Sequence, residues 1–304
     1  MLLGEVPALA GFEPAPVLLT SEPDPDRPER WQLDAYLDRE PAPALLAALA
    51  ALVPSAAGVD PQVERLGDED WVTMSQAGIE PIQAGRFFVA PAARIGEAPA
   101  GTVPFAIEAG RAFGTGQHET TAGCLATLDG LRTRGARFRR VADIGTGTGI
   151  LAFAAQRLWP MARIIASDID PVSVEVARDN ARDNQVALGR GPGAIELVAA
   201  PGLDHRRLAA RAPYDLIIAN ILAGPLVALA PAIGAALAPG GTLVLAGLLD
   251  EQADRVEAAY RAAGLRPGPR GGFGRWPVLR LTKRRGARRP ASSRAGRVEG
   301  DSSW

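Results

Sequence analysis

A chain of 304 residues, 47% hydrophobic and 22% charged, has the composition of a soluble globular protein with room for one large core and a smaller one. Its 33 basic and 34 acidic side chains leave a formal net charge of -1, which gives no whole-protein reason to expect nucleic-acid binding and leaves only local patches. A single cysteine, Cys124, and two histidines, His118 and His205, exclude an intramolecular disulfide and argue against a cysteine or histidine metal site, so no metal is expected.

The first ten residues, MLLGEVPALA, carry no basic cluster and include Glu5, unlike a secretory signal. The longest apolar run, PALLAALAALVP, is far short of the ~20 residues that span a bilayer. A cytoplasmic location with no membrane contact is expected. The proline-rich, acidic stretch SEPDPDRPER reads as a loose loop between short strands. Leu45, Leu46, Leu49, Leu52 and Val53 fall at helical spacing and predict one amphipathic helix ending near Pro54. The segment DWVTMSQAGIEPIQAGRFFVAP alternates apolar pieces with Gly and Pro, which suggests strands and turns, and PAARIGEAPAGTVP has the composition of a linker. Residues 1–90 are therefore read as a small α+β N-terminal domain with its connecting segment, 91–104 as a linker, and 105–282 as the main domain.

Within 105–282 strands alternate with helices. RRVADIG, RIIASD, IELVAA, YDLIIAN, GTLVLAG and RWPVLRLT read as strands, and the intervening segments as helices. Asp170 can cap one helix with Pro171 at its first position, and Gly264 can stop another. This alternation predicts an α/β fold, a doubly wound and mostly parallel sheet. Residues 283–304 have almost no apolar content and read as a disordered basic tail, the only candidate for nucleic-acid contact.

Two glycine-rich stretches lie close together, AFGTGQHETT and VADIGTGTGI. In the second, Asp143 ends a strand and Gly145, Gly147 and Gly149 precede a helix, where glycines allow a sharp turn and close approach of a ligand. The dinucleotide pattern would need glycine at position 150, which is isoleucine, and Asp168 ends the next strand at the distance where a carboxylate meets a ribose diol. A dinucleotide site or a structural turn is the alternative reading. The pattern resembles the class I S-adenosylmethionine-dependent methyltransferases, which implies a Rossmann-like domain with S-adenosylmethionine as cofactor. Its methionine moiety has an amino group and no pyrophosphate, which suits Asp143 beside the loop.

Asn220 ends the strand YDLIIAN and is followed by Ile221, Leu222 and Ala223. Alone, it reads as a turn-stabilising Asn; behind such a loop, the resemblance to amino-group methyltransferases implies that its amide and the Ile221 carbonyl accept hydrogen bonds from a substrate amine. No dedicated general base stands out, since Glu108, Glu119 and His118 are candidates only by their place in the sequence.

AFGTGQHETT, DIGTGTGIL, SDIDPVSVEVARDNARDN and ANILAGPLVALAP occur in this order with close spacing, and are similar to the ribosomal protein L11 methyltransferase family. The likeness runs over roughly residues 68–250. It implies methylation of lysine ε-amines and the N-terminal α-amine of a large-subunit ribosomal protein, by a monomer whose N-terminal domain recognises that protein. It also implies that Thr121, Gly145, Asp168 and Asn220 contact the cofactor, with Asp143, Gly147 and an apolar wall from Phe113 beside them. Thr120 and Thr121 can in addition cap the helix that follows. Glu119 stands where the family often has proline. The same catalytic domain acting on a different protein lysine or another amine is the second reading, and a non-catalytic S-adenosylmethionine-binding module the third.

Overall fold

The computed structural model describes residues 17–21, 32–37, 39–53, 60–64, 81–107 and 117–284. The described residues up to 64 belong to one compact unit and those from 81 onward to another. In the first, β1 (Val17–Ser21) pairs antiparallel with β2 (Gln32–Tyr36), and α1 (Pro43–Ala51) begins with proline at a position that needs no N–H donor. Leu18, Leu45 and Leu49 are its buried core, with Leu33, Ala35 and Leu52 packed around them. The i, i+4 spacing of Leu45 and Leu49 puts both on the helix face that meets the strands.

The second unit opens with β3 (Ile82–Ala84) and β4 (Phe87–Ala90), an antiparallel hairpin, and β5 (Val103–Ala106), parallel to β4. Residues 91–104, read as a linker from their glycine and proline, carry a 3-10 helix at Ala92–Glu97 and lead directly into β5. Burial explains the order: Phe87 and Phe105 are fully buried, their rings are 5.9 Å apart, and Phe105 lies 6.2 Å from Phe153.

The main sheet contains β6 (Arg140–Ile144), β7 (Arg163–Asp168), β8 (Ile195–Ala199), β9 (Tyr214–Asn220), β10 (Leu237–Ala246), β11 (Leu265–Pro267), β12 (Gly271–Phe273) and β13 (Trp276–Lys283). Its order is β11-β13-β10-β9-β6-β7-β8, with β12 beside β13. Strands β10, β9, β6, β7 and β8 are parallel, and β13 and β11 are antiparallel additions at one edge. The central strands are near-continuous apolar runs because helices cover both faces. Ala142, Ile144, Ile217, Ala219, Leu243 and Leu245 join one core with side chains of α6 (Ala223–Ala236) and α7 (Asp250–Ala262). The alternate residues Val141, Asp143, Leu216, Ile218 and Val244 are equally buried and point to the other face.

The remaining helices are α2 (Gln117–Thr133), α3 (Ile150–Leu158), α4 (Pro171–Asp183) and α5 (Arg206–Arg211). Helix α2 starts at Gln117, so Thr120 and Thr121 lie inside its opening turns instead of capping it, and both are buried. Asp170 does cap α4, accepting from the Val172 N–H at 2.9 Å. Gly264, with φ +87°, follows the end of α7 as expected for a left-handed stop. Strand order reverses at β6: the chain steps to β7 and β8 on one side, then crosses to β9 on the other. The crevice beyond the carboxyl ends of β6 and β9 is where an open α/β sheet takes its ligand. Among the described residues no helix is long and apolar enough to cross a membrane. The tail beyond residue 284 lies outside the described residues.

Candidate active site at the strand crossover

Three strand ends meet at the crevice. From β6 comes the loop 145–149, with Gly145, Gly147 and Gly149 at φ +72°, +53° and +88°, conformations that side chains with a Cβ rarely adopt. The loop is held from within. The N–H groups of Gly145 and Thr146 both donate to the Ser167 carbonyl at 2.7 and 2.9 Å, Gly149 N–H donates to the Thr146 carbonyl, and Gly147 N–H donates to Asp168 Oδ2 at 2.9 Å. A dinucleotide loop leaves such N–H groups for pyrophosphate. Here these four are already taken, which argues against a dinucleotide.

Asp143, the last but one residue of β6, is fully buried. Its Oδ2 accepts from the Thr146 hydroxyl at 2.7 Å, while Oδ1 has no partner among the described residues. Burial is the main cause that pushes its carboxyl up to about 7, the Thr146 hydroxyl and the Ala152 backbone N–H oppose the rise, and the negative charge of Asp168 adds to it. The same surroundings push the thiol of the buried Cys124 well above its ordinary range. Asp168 ends β7, half-buried, with Oδ1 accepting from the Asp170 N–H at 3.1 Å. Each of its oxygens retains acceptor capacity for a hydroxyl.

From β9 comes Asn220. Its Nδ2 donates to the Thr121 hydroxyl at 3.4 Å, so residues 99 positions apart meet, and its Oδ1 is buried without a partner. Three buried side-chain polar atoms lack a partner among the described residues, and two of them, Asp143 Oδ1 and Asn220 Oδ1, stand at neighbouring strand ends here. The third, the Tyr260 hydroxyl, sits in the core on α7. Natural interiors rarely leave such atoms unpaired, and at a crevice they mark where a ligand supplies the donor. Ile221 is wedged between two glycines: its side chain lies where a Cβ on Gly145 would be, and its backbone lies against Gly247. A Cβ on Gly247, whose φ is +82°, would come within 2.6 Å of the Ile221 carbonyl oxygen.

Thr121, Asp143, Gly145, Gly147, Asp168, Asn220 and Ile221 are thus brought to one place. Phe113 and Glu108 lie outside the described residues. Glu119 is exposed in the first turn of α2, where a negative charge complements the helix dipole. His205 caps α5, its Nδ1 accepting from the Arg207 N–H at 3.1 Å.

Sequence reasoning missed four residues that shape the site: Thr146, Gly247, Asn180 and Asn184. Buried Asn180 donates to the Thr148 carbonyl at 3.0 Å and ties α4 to the glycine loop. Asn184 both accepts from and donates to the Ala106 backbone at 2.7 Å, pinning the end of β5. The visible signal is the pair of asparagines four apart near the end of a helix, in RDNARDN, a residue type that disfavours helix interiors.

A buried carboxyl beside a loop whose N–H groups are occupied, a carboxylate at the second strand end and an unpaired amide oxygen fit a cationic nucleoside ligand such as S-adenosylmethionine. Comparisons with known proteins agree. The family model described as ribosomal protein L11 methyltransferase (PrmA) matches residues 16–284. A ribosomal protein L11 methyltransferase of Caulobacter sp. (strain K31) is 44% identical over 241 residues, covering 78% of this chain and 77% of that one. Its counterpart in Chelativorans sp. (strain BNC1) is 46% identical over 205 residues, 67% of this chain and 68% of that one. Among solved structures, a ribosomal protein L11 methylase from Lactobacillus delbrueckii subsp. bulgaricus is 27% identical with a TM-score of 0.57, covering 68% of this chain and all of that one. With a family model matching most of its length and relatives this similar, the chain belongs to the ribosomal protein L11 methyltransferase family.

Proposed function

We propose that the protein methylates amino groups of ribosomal protein L11, lysine ε-amines and the N-terminal α-amine, in the cytoplasm, with Asn220 and the Ile221 carbonyl orienting the amine. The reaction class and the cofactor follow from the family: it is a methyltransferase that uses S-adenosylmethionine. That cofactor supplies a methyl group on a sulfonium, open to in-line attack by a neutral amine. Thr121, Asp143, Gly145, Gly147 and Asp168 would hold it: Asp168 by accepting from ribose hydroxyls, the glycine loop by letting the nucleoside approach the main chain, and Asp143 through its charge.

The unpaired, buried Oδ1 of Asn220 carries this reading. An amine N–H is the donor it lacks, and the bond from Nδ2 to Thr121 orients the amide and leaves that oxygen unpaired. Lysine loses its proton near pH 10.4, so presenting the neutral form at pH 7.4 costs about 4 kcal/mol. Desolvation offsets much of this. Orientation of the lone pair adds several kcal/mol to the rate. The unit containing residues 17–64 is proposed to recognise the protein substrate.

Incubation of the purified protein with labelled cofactor and ribosomal protein L11, followed by mass spectrometry, tests the substrate. Methyl groups on L11 amines are expected; label on a different protein or on a small amine, with none on L11, would redirect the same chemistry to another acceptor. In the same assay Asn220→Ala is expected to lower turnover at least ~100-fold while part of the cofactor affinity survives, the pattern of a lost positioning group. Near-normal turnover would remove Asn220 from the reaction.

A further inference from the structure

We infer that the opposite end of the sheet is a second ligand surface, a groove that takes the phosphodiester backbone of single-stranded RNA. Its walls carry Arg132, Arg137, Arg139, Arg140 and Arg163, and its open volume is about 800 Å³. All five side chains are exposed, and none forms an ion pair with another described residue. Some arginines elsewhere in this unit are set against acids: Arg190, Arg207 and Arg211 converge on Glu196, and Arg261 and Arg270 on Glu257. The nearby carboxylate of Asp215 does not neutralise the groove by pairing with a guanidinium. It accepts instead from the backbone N–H groups of Arg139 and Arg140, at 2.9 and 3.0 Å.

Arg140 and Arg163 stand directly opposite each other on β6 and β7. Like charges on neighbouring strands repel, and no ion pair with a described carboxylate relieves either guanidinium. A polyanion removes the repulsion. Guanidinium forks match phosphate with two parallel hydrogen bonds, and the open shape suits an extended strand better than a compact anion. The groove also offers apolar surface to a base: Met161 is 75% exposed in its lining, beside the half-buried Phe138, which packs edge-on against the buried Trp159 with ring centroids 4.7 Å apart. Arg163 and Asp168 stand at opposite ends of six-residue β7, roughly 16 Å apart at 3.3 Å per residue step, so this surface is distinct from the methyl-transfer site. The choice of RNA over DNA rests on the ribosomal substrate proposed above; the groove itself does not.

The test is fluorescence anisotropy of a labelled, unstructured oligouridylate with the full-length protein, with methyl transfer read separately on L11. Because the basic tail is present in every variant, any difference belongs to the groove. Arg137→Ala/Arg139→Ala/Arg163→Ala is expected to bind at least ~10-fold more weakly at low salt. Its dependence of log affinity on log salt should be shallower by about 2, for three lost phosphate contacts at ~0.7 each. Arg132→Ala/Arg140→Ala, an independent pair, should reduce the slope by about 1.4. Affinity and slope unchanged in both folded variants would overturn the inference. So would polyglutamate competing as well as RNA, an effect limited to inorganic phosphate, or tighter binding of the DNA of the same sequence. Methylation that fails on L11 while RNA binding tracks the arginines would count against the substrate and leave the groove standing.

Discussion

Asp143 shows how one side chain couples folding to ligand. Its carboxyl is fully buried and pushed from an ordinary 3.8 up to about 7, chiefly by desolvation. Between those two values the folded chain keeps a proton that the unfolded chain has released. The stability tied to this proton is therefore fully present below about pH 4 and is lost as pH rises to about 7. Asp143→Asn cannot lose it. Urea unfolding of the ligand-free protein is expected to show wild type losing stability relative to Asp143→Asn by about 1.4 kcal/mol per pH unit across that window, with a constant difference above it. A cationic ligand favours the ionised carboxylate, so cofactor affinity should rise as pH climbs through 7 in wild type and not in the variant. Parallel pH profiles for the two proteins would show that burial of Asp143 has no energetic link to either process. The sequence singled out this residue because an acid before a glycine loop is a local pattern. It could not reveal Thr146 as the donor that holds it, since only the turn conformation brings that hydroxyl back over the carboxylate.

At the scale of elements, the central strands and the helices after them were legible because continuous apolar runs, a capping aspartate and a stopping glycine are all short-range signals. What escaped was anything decided by distant partners. Residues 91–104 have the composition of a linker, yet they frame a strand buried by two phenylalanines. The two threonines after FGTGQH look like a cap, yet the helix begins upstream of both. Asn180 and Asn184 act on backbone 32 and 78 positions away, spacings that no local pattern encodes. Gly247 belongs to the same class: it follows β10 directly, and its role appears only where it meets Ile221 of the turn after β9. Gly247→Ala would place a Cβ 2.6 to 2.8 Å from the Ile221 backbone, in a left-handed conformation that itself costs about 1–2 kcal/mol. The turn must then move, and the carbonyl proposed to orient the amine moves with it. Turnover is expected to fall at least ~10-fold with a smaller change in cofactor affinity, measured by single-turnover methylation alongside calorimetry. A variant that folds and turns over normally would show that the Ile221 carbonyl has no positioning role.

Over the whole molecule, the cores formed by the described residues of the two units differ greatly in size, and this bears on how work is divided between them. The first unit's described core rests on Leu18, Leu45 and Leu49, whereas the second contains a cluster running from Ala142 to Leu281, with side chains from seven main-sheet strands and both α6 and α7. Buried apolar area of that extent can hold a domain together without help. Every described residue assigned to cofactor or amine, from Thr121 to Gly247, also lies in this second unit. A fragment spanning residues 80–304 is therefore expected to unfold cooperatively and to bind S-adenosylmethionine within about threefold of the full-length affinity, a difference of roughly 0.65 kcal/mol. If the first unit supplies recognition of the protein substrate, the same fragment should methylate L11 at least ~100-fold less efficiently, through a higher KM rather than a lost cofactor site. Circular dichroism and calorimetry check the first expectation, and methylation kinetics check the second. Full activity on L11 from the fragment would move substrate recognition into the methyltransferase unit. A folded fragment that no longer binds cofactor would instead show that the glycine loop and Asp168 need a partner from residues 1–79.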